Sequence, residues 1–566
     1  MSQSLNYQAV TLPCSEPQQL HYGQNELTDT LTTSLKTGLH CRICTPPGVS
    51  LQQLVDAIDL PNTPKSGGQT IAFDGDLGQL VQSEPPPEEH ASEPLWCSLL
   101  NYQTLFGHLS YRDDNWHFTP GLLWQAANRF VFIDAAQLLN EPRCADALIA
   151  TLQSGHIQLQ FHGSNKVPAP LLPSAQFNGL VALHGTASEL YELAECYPQL
   201  ATVLPLHVEL RDRIHHQQAP HYLGYLTSLL QQQQVTITDC GLQALAQYAS
   251  KLAEHNHYFS LEGSKITALI REIKTDNQTE IAANDVAAAL VKRQQRIANL
   301  SQASYQDFID GSMLLDVTGS KVGQINGLTV VDIGDISYGE PVRITASVHY
   351  GDGDVIDIER KAELAGNIHA KGTMILAAYV SQIFAKDAPL HLSANIVFEQ
   401  SYYEVDGDSA SLAELVALLS AIGRIPVHQH MAVTGAIDQF GNVQSIGGIN
   451  QKVEGFWSVA SQLAPEQVIS IVMPKSNLLQ FNPDDAVRQA ITDGRLKICC
   501  VSHVSEAIEI LTGMKSGIGE EDRQQRYPLD TVYGRVQLRL LDLADPLEST
   551  SLSWLQKLKY WLKGDE

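Results

Sequence analysis

The apolar patterning changes character twice along the chain, near residue 216 and near residue 310, and 566 residues exceed what one hydrophobic core usually organises. Residues 1–215 alternate short apolar runs with amphipathic stretches, the pattern of an α/β unit. From 216 to 308 the spacing becomes helical, with Leu223, Leu226, Leu229 and Leu230 three or four apart, then Leu242, Leu245, Ala246 and Tyr248. A helical bundle follows from that spacing, and Asn284 or Asp285 stands where the first turn of one of its last helices needs a cap. Residues 309–513 turn to Gly-punctuated strands rich in Val and Ile, interleaved with helices, so a further α/β or α+β domain is expected to close near Leu511. Residues 514–566 are expected to form a tail ending in an amphipathic helix, with Leu555, Leu558, Trp561 and Leu562 on one face. The expected fold class is therefore α/β and α+β, in several domains.

Composition narrows the function. A net charge of −26 repels polyphosphate backbones, so nucleic acid is not an expected partner. The opening Met1-Ser2-Gln3-Ser4-Leu5-Asn6 lacks a basic and apolar leader, and no stretch offers roughly 18 consecutive apolar residues. Nine scattered cysteines do not make a disulfide framework, which suits a reducing compartment; a cytoplasmic location is expected. Cys41 and Cys44 have the spacing of a redox or zinc half-site, yet no second pair of suitable spacing accompanies them, and two thiols in a strand account for them equally. The Pro- and Glu-rich stretch from Ser83 to Pro94 is a solvated spacer. The tail helix can dock within the protein or its oligomer, or on a membrane or partner surface.

Chemistry concentrates in the third regime. Gly407-Asp408-Ser409-Ala410-Ser411 feeds a helix, and a serine at a helix start lies among unpaired backbone N–H groups that can stabilise an oxyanion. Asp408 or Ser409 would equally serve there as a plain N-cap. A nucleophilic serine also needs a base, and Lys452 follows Gly447-Gly448-Ile449-Asn450-Gln451 at what looks like another helix start. A lysine serves as base only if burial pulls its pKa well below about 10.4, and by itself Lys452 fits an ordinary surface position just as well.

Taken together, Gly-Asp-Ser-Ala-Ser, Thr434-Gly435 and Gly447-Gly448-Ile449-Asn450-Gln451-Lys452, with 43 residues from Ser409 to Lys452, resemble the proteolytic domain of Lon-type (S16) serine peptidases in their LonB-like form. The likeness extends through Gly351-Asp352-Gly353-Asp354, Ile358-Glu359-Arg360 and Gly366-Asn367-Ile368-His369, covering residues 315 to 512. It implies a Ser-Lys dyad cleaving peptide bonds through an acyl-enzyme, with Ser409 attacking and Lys452 as base. Thr434 would orient the lysine amine, Asp406 matches an acidic position three before the serine, and Asp408 is structural. It also implies a homohexamer acting on unfolded or flexible polypeptide. Neither a metal nor another cofactor is required for that chemistry. His369 and Glu399 gain no role from the resemblance.

Members of this family usually couple the peptidase to an AAA+ ATPase, and residues 1–308 resemble such a module with its helical lid. A P-loop needs glycines, a lysine for the β/γ-phosphates and Ser or Thr for Mg²⁺. Thr45-Pro46-Pro47-Gly48 stands where the loop belongs, without the Gly-Lys-Thr end. Phe130 to Asp134 resembles a Walker B strand, but Ala135 follows where a catalytic Glu is usual, and an aspartate ending a strand is common. The expected module is degenerate and does not hydrolyse ATP; an ATP-driven enzyme with a diverged site is the alternative.

Overall fold

The computed structural model describes residues 21–58, 70–73, 80–83, 93–112, 115–159, 174–274, 280–333, 336–351, 355–358, 366–385, 392–401, 407–521 and 526–544. Asp406, most of the 83–94 spacer and the amphipathic 552–563 segment lie outside the described residues. Two compact units emerge: one runs to Ala253 and resumes over His257–Leu290, the other comprises Glu254–Asn256 and Val291 onward.

In the first unit, β1 (Cys41–Cys44), β2 (Leu95–Trp96), β3 (Phe130–Asp134), β4 (Leu180–Gly185) and β5 (Leu206–Glu209) form one sheet in the order β5-β1-β4-β3-β2. Every pairing is parallel, with Cys41 opposite both Ala182 and Leu206 and Leu180 opposite Phe130. Parallel strands covered on both faces lose polar alternation, and β3 and β4 are buried at nearly every residue. Period two divides them between two cores: Phe130 and Phe132 join Leu27, Leu31 and Ile43, while Val131 and Ile133 join Leu138, Leu148 and Leu183. The strand order reverses between β1 and β4, the point beyond whose carboxyl ends open α/β sheets place a ligand crevice.

The helical regime builds α1 (Ala219–Gln232), α2 (Asp239–Leu252), α3 (Gly263–Lys274) and α4 (Ala283–Ile309). Leu223, Leu226, Leu229, Leu230, Leu242 and Leu245 meet Ile266, Leu269 and Ile270 in one core, as their spacing requires. Thr238 caps α2 by accepting from the Gly241 N–H at 3.2 Å, and Asp285 accepts from the Ala282 N–H at 2.7 Å, tightening the first turn of α4.

The second unit is a seven-stranded mixed sheet in the order β8-β9-β7-β6-β10-β11-β12, where β6 is Gln324–Ile333, β7 Ile336–Tyr350, β8 Val355–Asp357, β9 Leu392–Glu399, β10 Met431–Val433, β11 Ile469–Pro474 and β12 Leu496–Val501. β6, β7 and β9 pair antiparallel, whereas β6, β10, β11 and β12 run parallel. Its helices include α5 (Asn367–Phe384), α6 (Ser411–Gly423), α7 (Ile449–Leu463) and α8 (Val532–Ala544). β10 feeds two cores in alternation: Val433 joins the cluster around Leu412, Leu415 and Leu419 of α6, and Ala432 joins that around Val453, Phe456 and Trp457 of α7. Thr434, the residue after this strand, therefore lies where the two helices converge.

α7 reaches that point because two glycines let it cross β7 backbone to backbone. A Cβ on Gly455 would stand 2.1 Å from the Gly339 carbonyl oxygen, and one on Gly339 would stand 1.9 Å from the Gln451 oxygen. The core also continues past Leu511, where the sequence pattern suggests closure. Tyr527, Val532, Tyr533 and Val536 are buried in the α6 cluster, and the Tyr533 and Tyr379 hydroxyls are 2.8 Å apart. Residues 527–544 are thus part of this core, whereas composition alone gives them the look of a tail. Among the described residues no helix is long and apolar enough to cross a membrane. Gly455→Ala is expected to cost about 2–3 kcal/mol, since neither backbone can yield cheaply; a lowered denaturation midpoint for this unit is the measurement.

Candidate active site

α6 begins at Ser411 with Ala410 as its N-cap, and no side chain caps it. Gly407, at φ 105°, supplies a turn that residues with a Cβ rarely make, and the Ser411 N–H bonds the Asp408 carbonyl at 3.0 Å. Neither Asp408 nor Ser409 thus spends its side chain on capping. No described residue accepts from the backbone N–H of Ser409 or Ala410, which leaves two donors beside the serine hydroxyl.

Lys452 lies in the first turn of α7, whose N-cap Gly448 adopts a left-handed conformation at φ 65°. Its side chain is 3% exposed, buried where the two cores meet. Nζ donates to Ser409 Oγ at 2.7 Å and to Thr434 Oγ1 at 3.3 Å. Thr434, fully buried, donates in turn to the Ser409 carbonyl oxygen at 3.2 Å, and the same oxygen accepts from the Gly435 N–H at 2.8 Å. The Ser411 hydroxyl completes the link by accepting from the Ile437 N–H at 3.1 Å, so the serine turn and the Thr434 loop are tied together. Burial pulls the Lys452 pKa down to about 8, against a partial upward pull from Asp408. A fraction of the amine is neutral near pH 7.5, the form able to accept a proton.

Of the five residues singled out in the sequence, Ser409, Thr434, Lys452 and Asp408 come together here; Asp406 lies outside the described residues. His369 and Glu399 belong elsewhere. Glu399 accepts from the Thr345 hydroxyl at 2.7 Å, between β7 and β9. His369 Nδ1 lies 3.8 Å from Glu414 Oε1, both side chains essentially fully buried. This α5–α6 pair was not anticipated, although a lone carboxylate inside the apolar run from Leu412 to Ile422 requires a buried partner.

Comparison with known proteins fits this geometry. The Lon protease (S16) C-terminal proteolytic domain matches residues 315–513, and the archaeal LonB AAA+ ATPase lid domain matches residues 236–296. A Lon protease homolog of Haemophilus influenzae is 32% identical over 464 residues, covering 80% of this chain and 76% of that protein. The chain belongs to the Lon protease family. A Lon protease homolog of Escherichia coli is 30% identical over 421 residues, 73% of this chain and 71% of that protein. The archaeal Lon protease of Archaeoglobus fulgidus is 29% identical over 249 residues, 44% of this chain and 35% of its own length. The second unit accordingly holds an S16 proteolytic domain, and the protein is a serine-type peptidase with an AAA+-like lid.

The crevice beyond β1 and β4 has its own arrangement. The Thr45 N–H bonds the Gly185 carbonyl at 2.8 Å and the Val49 N–H bonds that of Pro46 at 3.2 Å, while Pro46 and Pro47 have no N–H to offer. The Ser264 hydroxyl donates to the Gly48 carbonyl at 2.6 Å. The Glu262 carboxylate, 2.7 Å from Lys265 Nζ, lies so close to Gly48 that a Cβ there would meet Oε2 at 2.2 Å. At the end of β3, Asp134 accepts from the Gln137 N–H at 2.9 Å as the N-cap of the following helix.

For Lys452 the folded pKa of about 8 lies below the unfolded value of about 10.4. The folded state therefore binds that proton less readily, the penalty is complete below pH 8, and it fades as pH rises toward 10.4. Lys452→Met is expected to raise stability at pH 7 by about 1–2 kcal/mol, partly offset by the hydrogen bonds lost, with a smaller gain near pH 10. Thermal denaturation at the two pH values measures it.

Proposed function

We propose that the protein is an endopeptidase acting on unfolded or flexible polypeptide through a Ser409–Lys452 dyad, without ATP hydrolysis of its own. The observation that carries this reading is a buried lysine amine, with a pKa near 8, 2.7 Å from a serine hydroxyl that caps nothing. Neutral Lys452 takes the hydroxyl proton as Ser409 Oγ attacks the scissile carbonyl carbon. The Ser409 and Ala410 N–H groups receive the oxyanion, aided by the positive end of α6. Protonated Lys452 returns the proton to the leaving amine, and a water activated by the same amine then releases the acyl group from Ser409. Thr434 holds Nζ on line, Asp408 limits how far the lysine pKa falls, and Asp406 keeps the supporting role that the family resemblance gives it. A homohexamer in the cytoplasm, with the C-terminal amphipathic segment as a contact for a partner or membrane surface, completes the reading; nucleic acid is no part of it.

The residues around the β1–β4 crevice do not suit a nucleoside triphosphate. Two prolines withdraw donors that a phosphate cradle needs, Val49 rather than a lysine follows Gly48, the Ser50 hydroxyl is taken up as a helix cap by the Gln53 N–H, and a carboxylate stands against that glycine. Asp134, used as a helix cap, is accounted for without a metal.

Casein-like substrates separate the possibilities. Wild type is expected to cleave them, with Ser409→Ala and Lys452→Ala each reducing kcat/KM by about a thousandfold or more. Equal cleavage by all three proteins would remove the dyad, and no cleavage by wild type would favour a scaffold. As the base must be neutral, kcat/KM is expected to rise with pH through a limb near 8 and level off above it, measured with a fluorogenic peptide. The same rates are expected with and without ATP and Mg²⁺; saturable ATP hydrolysis abolished by Asp134→Ala would instead establish a nucleotide-driven enzyme.

A further inference from the structure

Three imidazoles converge at the head of the helical region. A short antiparallel ladder pairs Arg213, Ile214 and His215 with Ser260, Phe259 and Tyr258. One step beyond it the His216 N–H donates to the His257 carbonyl at 2.8 Å, so these two residues face each other across the end of the ladder. Directly opposed residues carry their Cβ atoms about 5 Å apart on one face. The chain then leaves the strand for a 3₁₀ turn over His216–Gln218, and that change of direction brings the His215 ring to the same side. Ring centroids are 4.6 Å apart for His215 and His216, 4.9 Å for His216 and His257, and 6.2 Å for His215 and His257. The rings are mutually tilted rather than stacked, and one ring nitrogen of each lies within 4.8 Å of the other two.

We propose that His215, His216 and His257 form a binding site for a divalent transition-metal ion of the zinc class. Imidazole nitrogen is a ligand for zinc, copper and nickel, and three such ligands leave a fourth, tetrahedral position to water. Zn–N bonds of about 2.0–2.1 Å place ligand nitrogens roughly 3.4 Å apart. Ring rotations of about an ångström reach that spacing, and His216 and His257 are exposed and able to make them. His215 Nδ1 accepts a long 3.3 Å hydrogen bond from the Gln217 N–H and its ring meets Tyr258 edge-on at 5.2 Å, the contacts that coordination by His215 would adjust. No carboxylate is required, and the three neutral ligands leave the ion's charge facing water.

The location gives the metal a structural consequence. The strand holding Tyr258 to Ser260 runs straight into Glu262, whose carboxylate lies against Gly48 at the β1–β4 crevice. A metal clamp on His215, His216 and His257 fastens that strand to its partner five residues before the contact. In a chain proposed to work without nucleotide, an ion there would brace the segment that reaches the crevice.

The test uses the full-length protein freed of metal with a chelator. Zn²⁺ titration by calorimetry is expected to show one site per chain, micromolar or tighter, and His216→Gln with His257→Gln is expected to weaken it by at least tenfold. In the wild type, Zn²⁺ is expected to suppress diethyl pyrocarbonate modification of His215, His216 and His257, read by mass spectrometry, and to leave that of His156 unchanged. The footprint needs no variant, so a folding defect in the double substitution cannot mimic success. Equal protection of all exposed histidines, no protection of the three, or unchanged affinity in the double variant would each overturn the site.

Discussion

The buried amine of Lys452 is the constraint on which the proteolytic unit depends. An ammonium group removed from water is costly, and the cost is moderated only when the group can shed its charge or find oxygen partners. Here it does both: its pKa falls to about 8, and the Ser409 and Thr434 hydroxyls lie within hydrogen-bond reach. The same burial that burdens the fold makes the lysine useful as a base. Stability and reactivity are opposed at this residue, and the surrounding packing has to hold a strained choice in place.

That packing traces to small residues at two crossings. Gly339 and Gly455 let α7 lie against β7 at backbone distance, which fixes how deep Lys452 sits. Gly407 and the uncapped start of α6 leave Ser409 in a turn whose carbonyl is gripped by Thr434 and Gly435. The Ser411–Ile437 bond holds the serine turn to the loop after β10. Each contact is ordinary alone; together they bring two helices from different cores to one residue, Thr434.

Much of this was legible in the sequence, and the reasons are physical. Leu223, Leu226, Leu229 and Leu230 announce a helix because burial of one face imposes a period near 3.6, and the apolar run from Phe130 to Ile133 announces a strand. Ser409, Thr434 and Lys452 were found because their motifs together resemble those of Lon-type peptidases, whereas composition could not tell Lys452 from a surface lysine. Other features depend on residues far apart in the chain. The His369–Glu414 pair and the Tyr379–Tyr533 contact span α5, α6 and α8, and the placement of Glu262 against Gly48 links positions 214 residues apart that no local pattern connects. The three histidines escaped for the same reason: His257 meets His215 and His216 only through strand register. Asp134, at the strand end that resembles a Walker B segment, shows a cap that the sequence motif does not announce, accepting from the Gln137 N–H at 2.9 Å.

In the proposed dyad Ser409 and Lys452 already lie within hydrogen-bond reach, so the proposed chemical step need not wait for nucleotide. Restraint must then come from access to Ser409 rather than from activation of it. Its side chain is only half-buried, while Lys452 and Thr434 behind it are closed to solvent, so a peptide backbone can reach the nucleophile but not compete for the base. The proposed preference for unfolded or flexible polypeptide is in keeping with that half-buried nucleophile.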